Sequence, residues 1–433
     1  MMKAGIAKNK ITPPVGVDLT GYVGRPGPST RVHDDLFATA LVLDDGAKRI
    51  GIIAIDIVGT DMAQDAALRD AISKATGIEP KNLLIASSHT HAGPAIGVLR
   101  QCGTPDEACV RRLWAQIVAT AKEANEKLVD ARLSYARAES ELAWNRRNWV
   151  VEAKVQQSPT SGVITDPEIG GLLVELDGQK PVMLFNYACH GVVMGGENLE
   201  ISADWIGAAR DALESSGSIG TAIFLQGCCG NINPRYRGTF DEVRHACESV
   251  AKPLLDALAK SKPIEDPKIK VAWKTVDLPY MPLPEEETLE QEISFRCGEI
   301  EKAQAEGAPL VYGQVHKAML GWARDALRMV TESGPESITV GLQAISIDGV
   351  VLTTLPGEAF CEYGLAFRKM TKSSVIPVGY ANGNIGYIPT AEAYKEGGYE
   401  VNDAIKYYAV KMIAPESDGI ILAAMKGLLA EVE

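Results

Sequence analysis

The stretch Ser87-Ser88-His89-Thr90-His91-Ala92-Gly93-Pro94 puts two imidazoles one residue apart. It follows the apolar run Leu83-Leu84-Ile85-Ala86, which reads as a buried strand. Where such a strand runs out into a Gly-Pro turn, both rings reach a common point above the strand end. That suits them to hold a metal ion or to move protons. The chain has only six histidines in 433 residues, so this pair is not a compositional accident. The alternative is a polar loop whose histidines bond to the backbone.

The elements that position this pair recur. Three segments share one layout: an apolar strand ending in a polar group, a connection containing a helix, and a second strand ending in a polar loop. The first delivers Asp56 and then His89 and His91. The second delivers His190 and then Gln226 to Asn233. The third delivers Glu358 and then Asn382 to Tyr387. Each reads as a β-α-β crossover, so its two strands are expected to be parallel. In such sheets ligands bind beyond the carboxyl ends of the strands. All three units therefore carry polar groups to one edge.

The hairpin signals Asp44-Asp45-Gly46 and Asp177-Gly178 add antiparallel strands, as does the turn between Gly341–Ile347 and Val350–Thr354. Helices are expected at 63–75, 106–128, 204–215, 240–259, 360–370 and 413–429. Segments 285–305 and 310–332, joined by Gly307-Ala308-Pro309, form a charged helical pair with no evident chemistry, a lid or packing element. The expected fold is α/β, a mixed β-sheet core with parallel β-α-β units and hairpins, flanked by helices on both sides. It is read as one catalytic domain over 1–433, with the helical hairpin inserted at about 285–332.

A hydrophobic content of 46% and a charged content of 23% are those of an ordinary globular chain. A net charge of −13 with no basic stripe argues against nucleic acid and anionic membrane surfaces. No run is long enough to serve as a membrane anchor, and no apolar leader follows Met1-Met2-Lys3. The eight cysteines show no paired framework, so free thiols and a cytoplasmic location are expected.

His, His, His, Glu and Tyr converging on one edge suit zinc, which accepts nitrogen and carboxylate ligands and keeps an open position when catalytic. A softer metal would recruit Cys189, Cys228 or Cys229. Each residue alone has a plainer reading. His190 is a core histidine, Glu358 a helix N-cap and Tyr387 a core aromatic. Asn145-Arg146-Arg147 is a solvated charge cluster, and the cysteines are small hydrophobes. His33, His245 and His316 are read as structural. The plain readings leave unexplained why strand ends in three separate units all carry ligand-type residues.

The motifs resemble those of the neutral/alkaline non-lysosomal ceramidase family. The matching stretches are Ala7-Lys8-Asn9-Lys10-Ile11-Thr12-Pro13-Pro14, Val32-His33-Asp34-Asp35, Ser88-His89-Thr90-His91-Ala92-Gly93-Pro94, Asn145-Arg146, Asn186-Tyr187-Ala188-Cys189-His190, Gln226-Gly227, Pro356-Gly357-Glu358 and Gly386-Tyr387-Ile388-Pro389-Thr390. They occur in the family's order. The resemblance implies an α/β catalytic domain with one zinc ion per chain on His89, His190, Glu358 and Tyr387. It also implies His91 as a proton-handling residue, Arg146 on the substrate carbonyl side, and hydrolysis of the ceramide amide. Tyr387 with Arg146 would meet the oxyanion, and Asn233, Gln226 and Asn145 are the candidate substrate-binding residues.

Two departures accompany the resemblance. Asn233, in Gly230-Asn231-Ile232-Asn233-Pro234, stands where the family has a serine. The family's C-terminal immunoglobulin-like domain and secretion signal are not expected here. The expected activity is therefore that of a zinc-dependent amidohydrolase using zinc-activated water. A small soluble N-acyl amide or ester stands level with ceramide as its substrate. Two alternatives are a catalytically inactive zinc-containing ligand-binding homologue and a thiol hydrolase using Cys229 or Cys189 with His190. Homo-oligomerisation is compatible with the composition.

Overall fold

A computed structural model describes residues 2–147, 164–408 and 411–433. The mixed core is two stacked sheets. The larger runs in the order Thr221–Gln226, Val182–Tyr187, Glu168–Leu176, Val129–Glu139, Lys3–Lys10, Phe37–Asp44, Arg49–Ile55, Leu83–Ser87, with short Lys262–Ile264 beside Val129–Glu139. The smaller runs Ile269–Pro279, Ser337–Ile347, Val350–Thr354, Ser374–Val378. The three expected crossovers are present: Arg49–Ile55 with Leu83–Ser87, Val182–Tyr187 with Thr221–Gln226, and Val350–Thr354 with Ser374–Val378 all pair in parallel.

Period-two alternation builds the layers. Along Phe37–Asp44, Leu41 and Leu43 face the space between the sheets, where Ile345, Leu352 and Ile376 of the smaller sheet join them. Ala38, Ala40 and Val42 on the same strand face outward, with Leu113 and Ile117 of the helix Glu107–Glu126. The helices Asp204–Ser215 and Phe240–Leu258 cover Phe185 and Phe224 through Ile206, Ala209, Val243 and Val250. The final helix, Glu416–Val432, packs Met425 and Leu428 with Leu342 and Ala344 of the smaller sheet. Helices thus lie outside both sheets. Each fully buried Leu or Ile contributes about 1.5–3 kcal/mol, so this layering supplies the framework that holds the loops.

Local signals fix the helix ends. Asp61 caps Met62–Thr76 through the Gln64 N–H in a reciprocal capping box, and Gly77 closes that helix at φ 75°. Asp106 and Thr239 cap the next helices on their sides of the sheet. The final helix begins at Glu416 rather than 413, because Pro415 takes the N-cap position. The charged pair is observed as Glu286–Glu306 and Leu310–Thr331, with a small core of Leu289, Trp322, Ala323 and Ala326. Three short helices, Ala391–Glu396, Tyr399–Asn402 and Ala404–Tyr408, were not expected from the sequence. Among the described residues no helix is long and apolar enough to cross a membrane.

The edge strands of the larger sheet end close together. Gln226 Nε2 donates to Ser88 O and Cys189 O, each at 3.0 Å, tying the ends of two crossovers. The third joins them, with Gly379 N donating to Gln226 O at 3.0 Å and Ser87 N to Tyr380 O at 3.1 Å. Asn186 Nδ2 bridges Leu225 O and Pro377 O at 2.8 and 2.9 Å. Buried backbone carbonyls left unpaired are costly, and here buried amide side chains pair them.

Candidate metal centre

His89 follows the strand Leu83–Ser87 with φ 60°, a left-handed conformation rare outside glycine. That turn points its ring back over the strand end, where Nδ1 lies 2.5 Å from Val58 O. His190 follows Val182–Tyr187, and its Nδ1 lies 2.8 Å from Ile232 O. A ring nitrogen facing a carbonyl carries the proton, so each Nε2 keeps its lone pair for the centre. This is the arrangement by which a ligating histidine is held in tautomer and orientation. The two loops are zipped by a parallel bridge between Thr90 and Gly191.

His91 is held differently. Its Nε2 lies 3.0 Å from His89 Nε2, while its buried Nδ1 has no partner. Gly21, at φ +90°, packs so closely that a Cβ there would lie 2.5 Å from the His91 ring. One side-chain nitrogen from each of His89, His91 and His190 lies within 4.8 Å of the other two.

Glu358 enters through a short parallel pairing that sets it beside Tyr387, with Ala359 beside Ile388. It does not cap the following helix, whose N-cap is Phe360. Its Oε2 lies 3.1 Å from His190 Nε2 and 3.5 Å from His89 Nε2. Tyr380 donates to the same oxygen at 3.1 Å, and Tyr408 donates to Oε1. Tyr380, like His89, has positive φ, at 51°. Backbone strain thus marks two of the strand ends that meet here.

Burial sets the charge states. It lowers the His89 pKa to about 4, with His190 adding to the effect and Glu358 partly opposing it. Burial also pushes His91 well below the ordinary histidine value, helped by His89 and His190. Burial works against ionising Glu358, but His89, His190 and the Tyr408 hydroxyl outweigh it and hold the carboxyl below the usual range. Neutral His89 and His91 beside an ionised Glu358 are the state a cation requires. The crowding of three imidazole nitrogens beside the Glu358 carboxylate fits a divalent ion of the kind that imidazole and carboxylate ligands select.

Tyr387 stands at the edge of this cluster. Its hydroxyl accepts from Arg146 Nη2 at 2.8 Å. Arg146 also donates to Gly230 O at 2.7 Å and to Asn233 Oδ1 at 3.3 Å, so Asn233 meets the arginine rather than the imidazoles. Arg146 and Arg147 are not a solvated charge cluster, since both donate to the buried Glu400. Asn148, the last residue of that polar segment, lies outside the described residues. Gln226 and Asn145 are turned to the backbone. The Gln226 amide is spent on the strand-end carbonyls. Asn145 donates to Ile164 O at 2.8 Å and accepts from Arg147 N at 3.0 Å. Asp56 pairs with Arg210 at 2.7 and 3.0 Å, anchoring the helix Asp204–Ser215.

A cavity of about 210 Å3 opens above the cluster, lined by His91, Glu358 and Tyr387 with Tyr22, Tyr399, Tyr407 and Tyr408. Tyr22, Tyr380, Tyr408 and Glu400 were not picked out from the sequence. The crowding of Tyr394, Tyr399, Tyr407 and Tyr408 into fifteen residues was the available signal for the aromatic wall. Glu400 carried none. The cysteines are all free. Burial raises Cys189 and Cys229 well above the ordinary thiol value, which disfavours the nucleophilic thiolate.

Comparison with known proteins gives the fold and the family. The structure superposes on neutral ceramidase from Pseudomonas aeruginosa with a TM-score of 0.75 at 19% identity, covering 99% of this chain and 74% of that one. A ceramidase complexed with C2 gives a TM-score of 0.74 at 18% identity, covering 100% of this chain and 74% of the other. These likenesses establish the fold. In sequence, neutral ceramidase from Drosophila pseudoobscura pseudoobscura is 24% identical over 239 residues, 49% of this chain and 32% of the fly protein's length. The family model described as neutral/alkaline non-lysosomal ceramidase, N-terminal, matches residues 2–266, a span that carries His89, His91, Arg146 and His190 but stops short of Glu358 and Tyr387. The chain belongs to the neutral/alkaline non-lysosomal ceramidase family.

Proposed function

We propose that this chain is a zinc-dependent hydrolase of a linear C–N bond, acting on an N-acyl amide. One observation carries the reading. The Nε2 atoms of His89 and His190, each fixed by a carbonyl on the far side of the ring, meet the carboxylate of Glu358, which lines the cavity. His89, His190 and Glu358 would hold the ion, with Tyr387 the fourth ligand implied by the family resemblance. Zinc bound there supplies a Lewis acid that makes water a nucleophile near neutral pH.

The chain's own residues do the rest. His91 lacks the carbonyl partner that ties down the other two rings, and it lines the cavity. Its Nε2, which lies 3.0 Å from His89 Nε2 on the side of the centre, takes the proton from water as the oxygen attacks the carbonyl carbon, and returns it to the nitrogen as the C–N bond breaks. Arg146 donates to Tyr387 Oη. That leaves the phenol proton free to meet the developing oxyanion beside the guanidinium. The tyrosine wall excludes water from the reacting carbonyl while keeping hydroxyls in reach of a polar acyl group.

The test is hydrolysis by zinc-loaded protein of an N-acyl amide and ester series, from short acyl chains to ceramide, alongside metal analysis. Stoichiometric zinc, activity abolished by chelator and an inactive His89→Ala variant are the expected results. Activity indifferent to chelator would sink the reading. The second reading, a zinc-binding homologue without catalysis, is favoured by Asn233 in the family's serine position. Zinc retained with no turnover of any member of the series would select it.

A further inference from the structure

Glu400 lies outside every motif discussed so far, yet it joins two parts of the site. Its Oε1 accepts from Arg146 Nε at 2.8 Å and its Oε2 from Arg147 Nη1 at 2.7 Å. It is only 3% exposed, so both bonds are charge-assisted and shielded from water. Arg147 extends the contact with Nη2 donating to Gly397 O at 2.8 Å and to Glu396 Oε2 at 3.0 Å. The short helices Ala391–Glu396 and Tyr399–Asn402 are thereby fastened to the Asn-Arg segment, and the helix Ala404–Tyr408 follows directly on the second of them.

The partners of Arg146 show what the carboxylate does. Its Nη atoms meet Tyr387 Oη, Gly230 O and Asn233 Oδ1, all uncharged acceptors. Glu400 is the one carboxylate hydrogen-bonded to Arg146 among the described residues. A guanidinium fork gripped at Nε is fixed in rotation, because its five donors lie in one plane. Gripping Nε directs the two Nη groups at Tyr387 and Asn233. The neighbouring Tyr399 places its ring 5.9 Å from that of Tyr387, so the same short helix sets the arginine's angle and part of the wall it faces.

We infer that Glu400 is a positioning residue: its carboxylate, shared between Arg146 and Arg147, holds the Arg146 guanidinium against Tyr387 and pins the 391–408 tyrosine segment over the cavity. The inference rests on the amide-hydrolysis reading above for its kinetic consequence, and on the geometry alone for the clamp. A group that orients an oxyanion donor acts mainly in the transition state, so its loss lowers kcat more than it changes KM.

The experiment compares Glu400→Gln, Arg146→Lys and the double variant in the zinc-loaded full chain, with the short N-acyl amide turned over best by the parent. Glu400→Gln keeps the shape but offers one of the two arginines an NH2 group in place of an acceptor. Its kcat is expected to fall about 10- to 100-fold with KM within about threefold. The double variant is expected to be no worse than Arg146→Lys within about threefold, because the two act through one guanidinium. Hydrogen exchange is expected to quicken across 391–408 and not across 83–92. Multiplying effects, or a kcat unchanged while exchange quickens, would overturn the positioning role and leave only an anchor. Unchanged exchange would overturn the clamp. If Glu400→Gln does not fold, Arg147→Lys, which breaks the planar fork on the other oxygen, takes its place with the same outcomes. A parent that hydrolyses no amide counts against the amide-hydrolysis reading instead, and the exchange result then decides the clamp by itself.

Discussion

The two walls of the cavity are built on opposite principles. The floor, Glu358 with His89 and His190 buried behind it, hangs from strand ends and is fixed by bonds to backbone carbonyls and to neighbouring side chains. The facing wall, Tyr399, Tyr407 and Tyr408, rides on short helices held by a buried carboxylate between two arginines. Strand ends cannot shift without breaking the sheet ladder, whereas a short helix held by an ion pair moves as a unit when that pair is broken. The candidate ligand atoms thus stand on the stiff side and the tyrosine wall on the adjustable side, in keeping with the demand that ligand geometry be held closely.

The largest break in this contrast comes from the floor. Replacing Glu358 by Ala removes the one carboxylate beside the His89 and His190 Nε2 atoms among the described residues. We expect zinc to be lost from the purified protein and kcat/KM to fall at least about 10^3-fold. Retained metal with full activity would mean that the floor is not the ion site.

Acid is the next test, applied to metal-free protein. The folded-state pKa of His89 is lowered to about 4. The unfolded chain therefore takes up its proton first, near pH 6.5. Stability falls as pH drops through that value and goes on falling until about 4, a loss of roughly 3 kcal/mol from this group. Ionised Glu358, its folded pKa also lowered, pulls the same way below the unfolded carboxylate value. Denaturant melts between pH 7.5 and 4.5 measure it. A flat profile would show the ring to be solvated.

Gln226→Ala separates framework from substrate contact. It leaves Ser88 O and Cys189 O unpaired at the junction of the crossovers, so stability should drop by about 2 kcal/mol while KM stays within about twofold. A raised KM with unchanged stability would return Gln226 to the substrate.

The smallest effect is expected at Gly21→Ala, where the new methyl drives into the His91 ring. About a tenfold loss of kcat, with zinc content unchanged, would separate a proton-handling His91 from a ligand. Loss of zinc would make His91 part of the ion's shell.

Much of this was legible in the chain. His89, His190 and Glu358 each follow an apolar strand, and the β-α-β period predicted that the strands carrying them would run in parallel toward one edge. Turn signals such as Asp44-Asp45-Gly46 and Asp177-Gly178 marked hairpins, and helical spacing placed the long helices to within a few residues of their ends. The segment at 391–408 was missed because its helices are four to six residues long, too short to show a helical period. Asn145 and Gln226 read as polar site residues, yet they face carbonyls, since composition does not reveal which way an amide points. His91 was legible as a chemical residue, but its closeness to His89, with 3.0 Å between Nε2 atoms, follows from the turn at φ 60°.

Residue types and their order along the chain determined the chemistry on offer: imidazoles, a carboxylate and a phenol at successive strand ends, and an arginine beside a polar loop. Covalent order and local periodicity suffice for that, because each strand and its exit are specified by a few neighbouring residues. Tertiary structure alone decided which of those groups meet. The stacking of two sheets brought the third crossover against the other two, and the approach of the sheet's edge strands set His89 beside His190. Glu400 reached Arg146 across 254 residues of chain, a distance over which no local pattern carries information and only packing does.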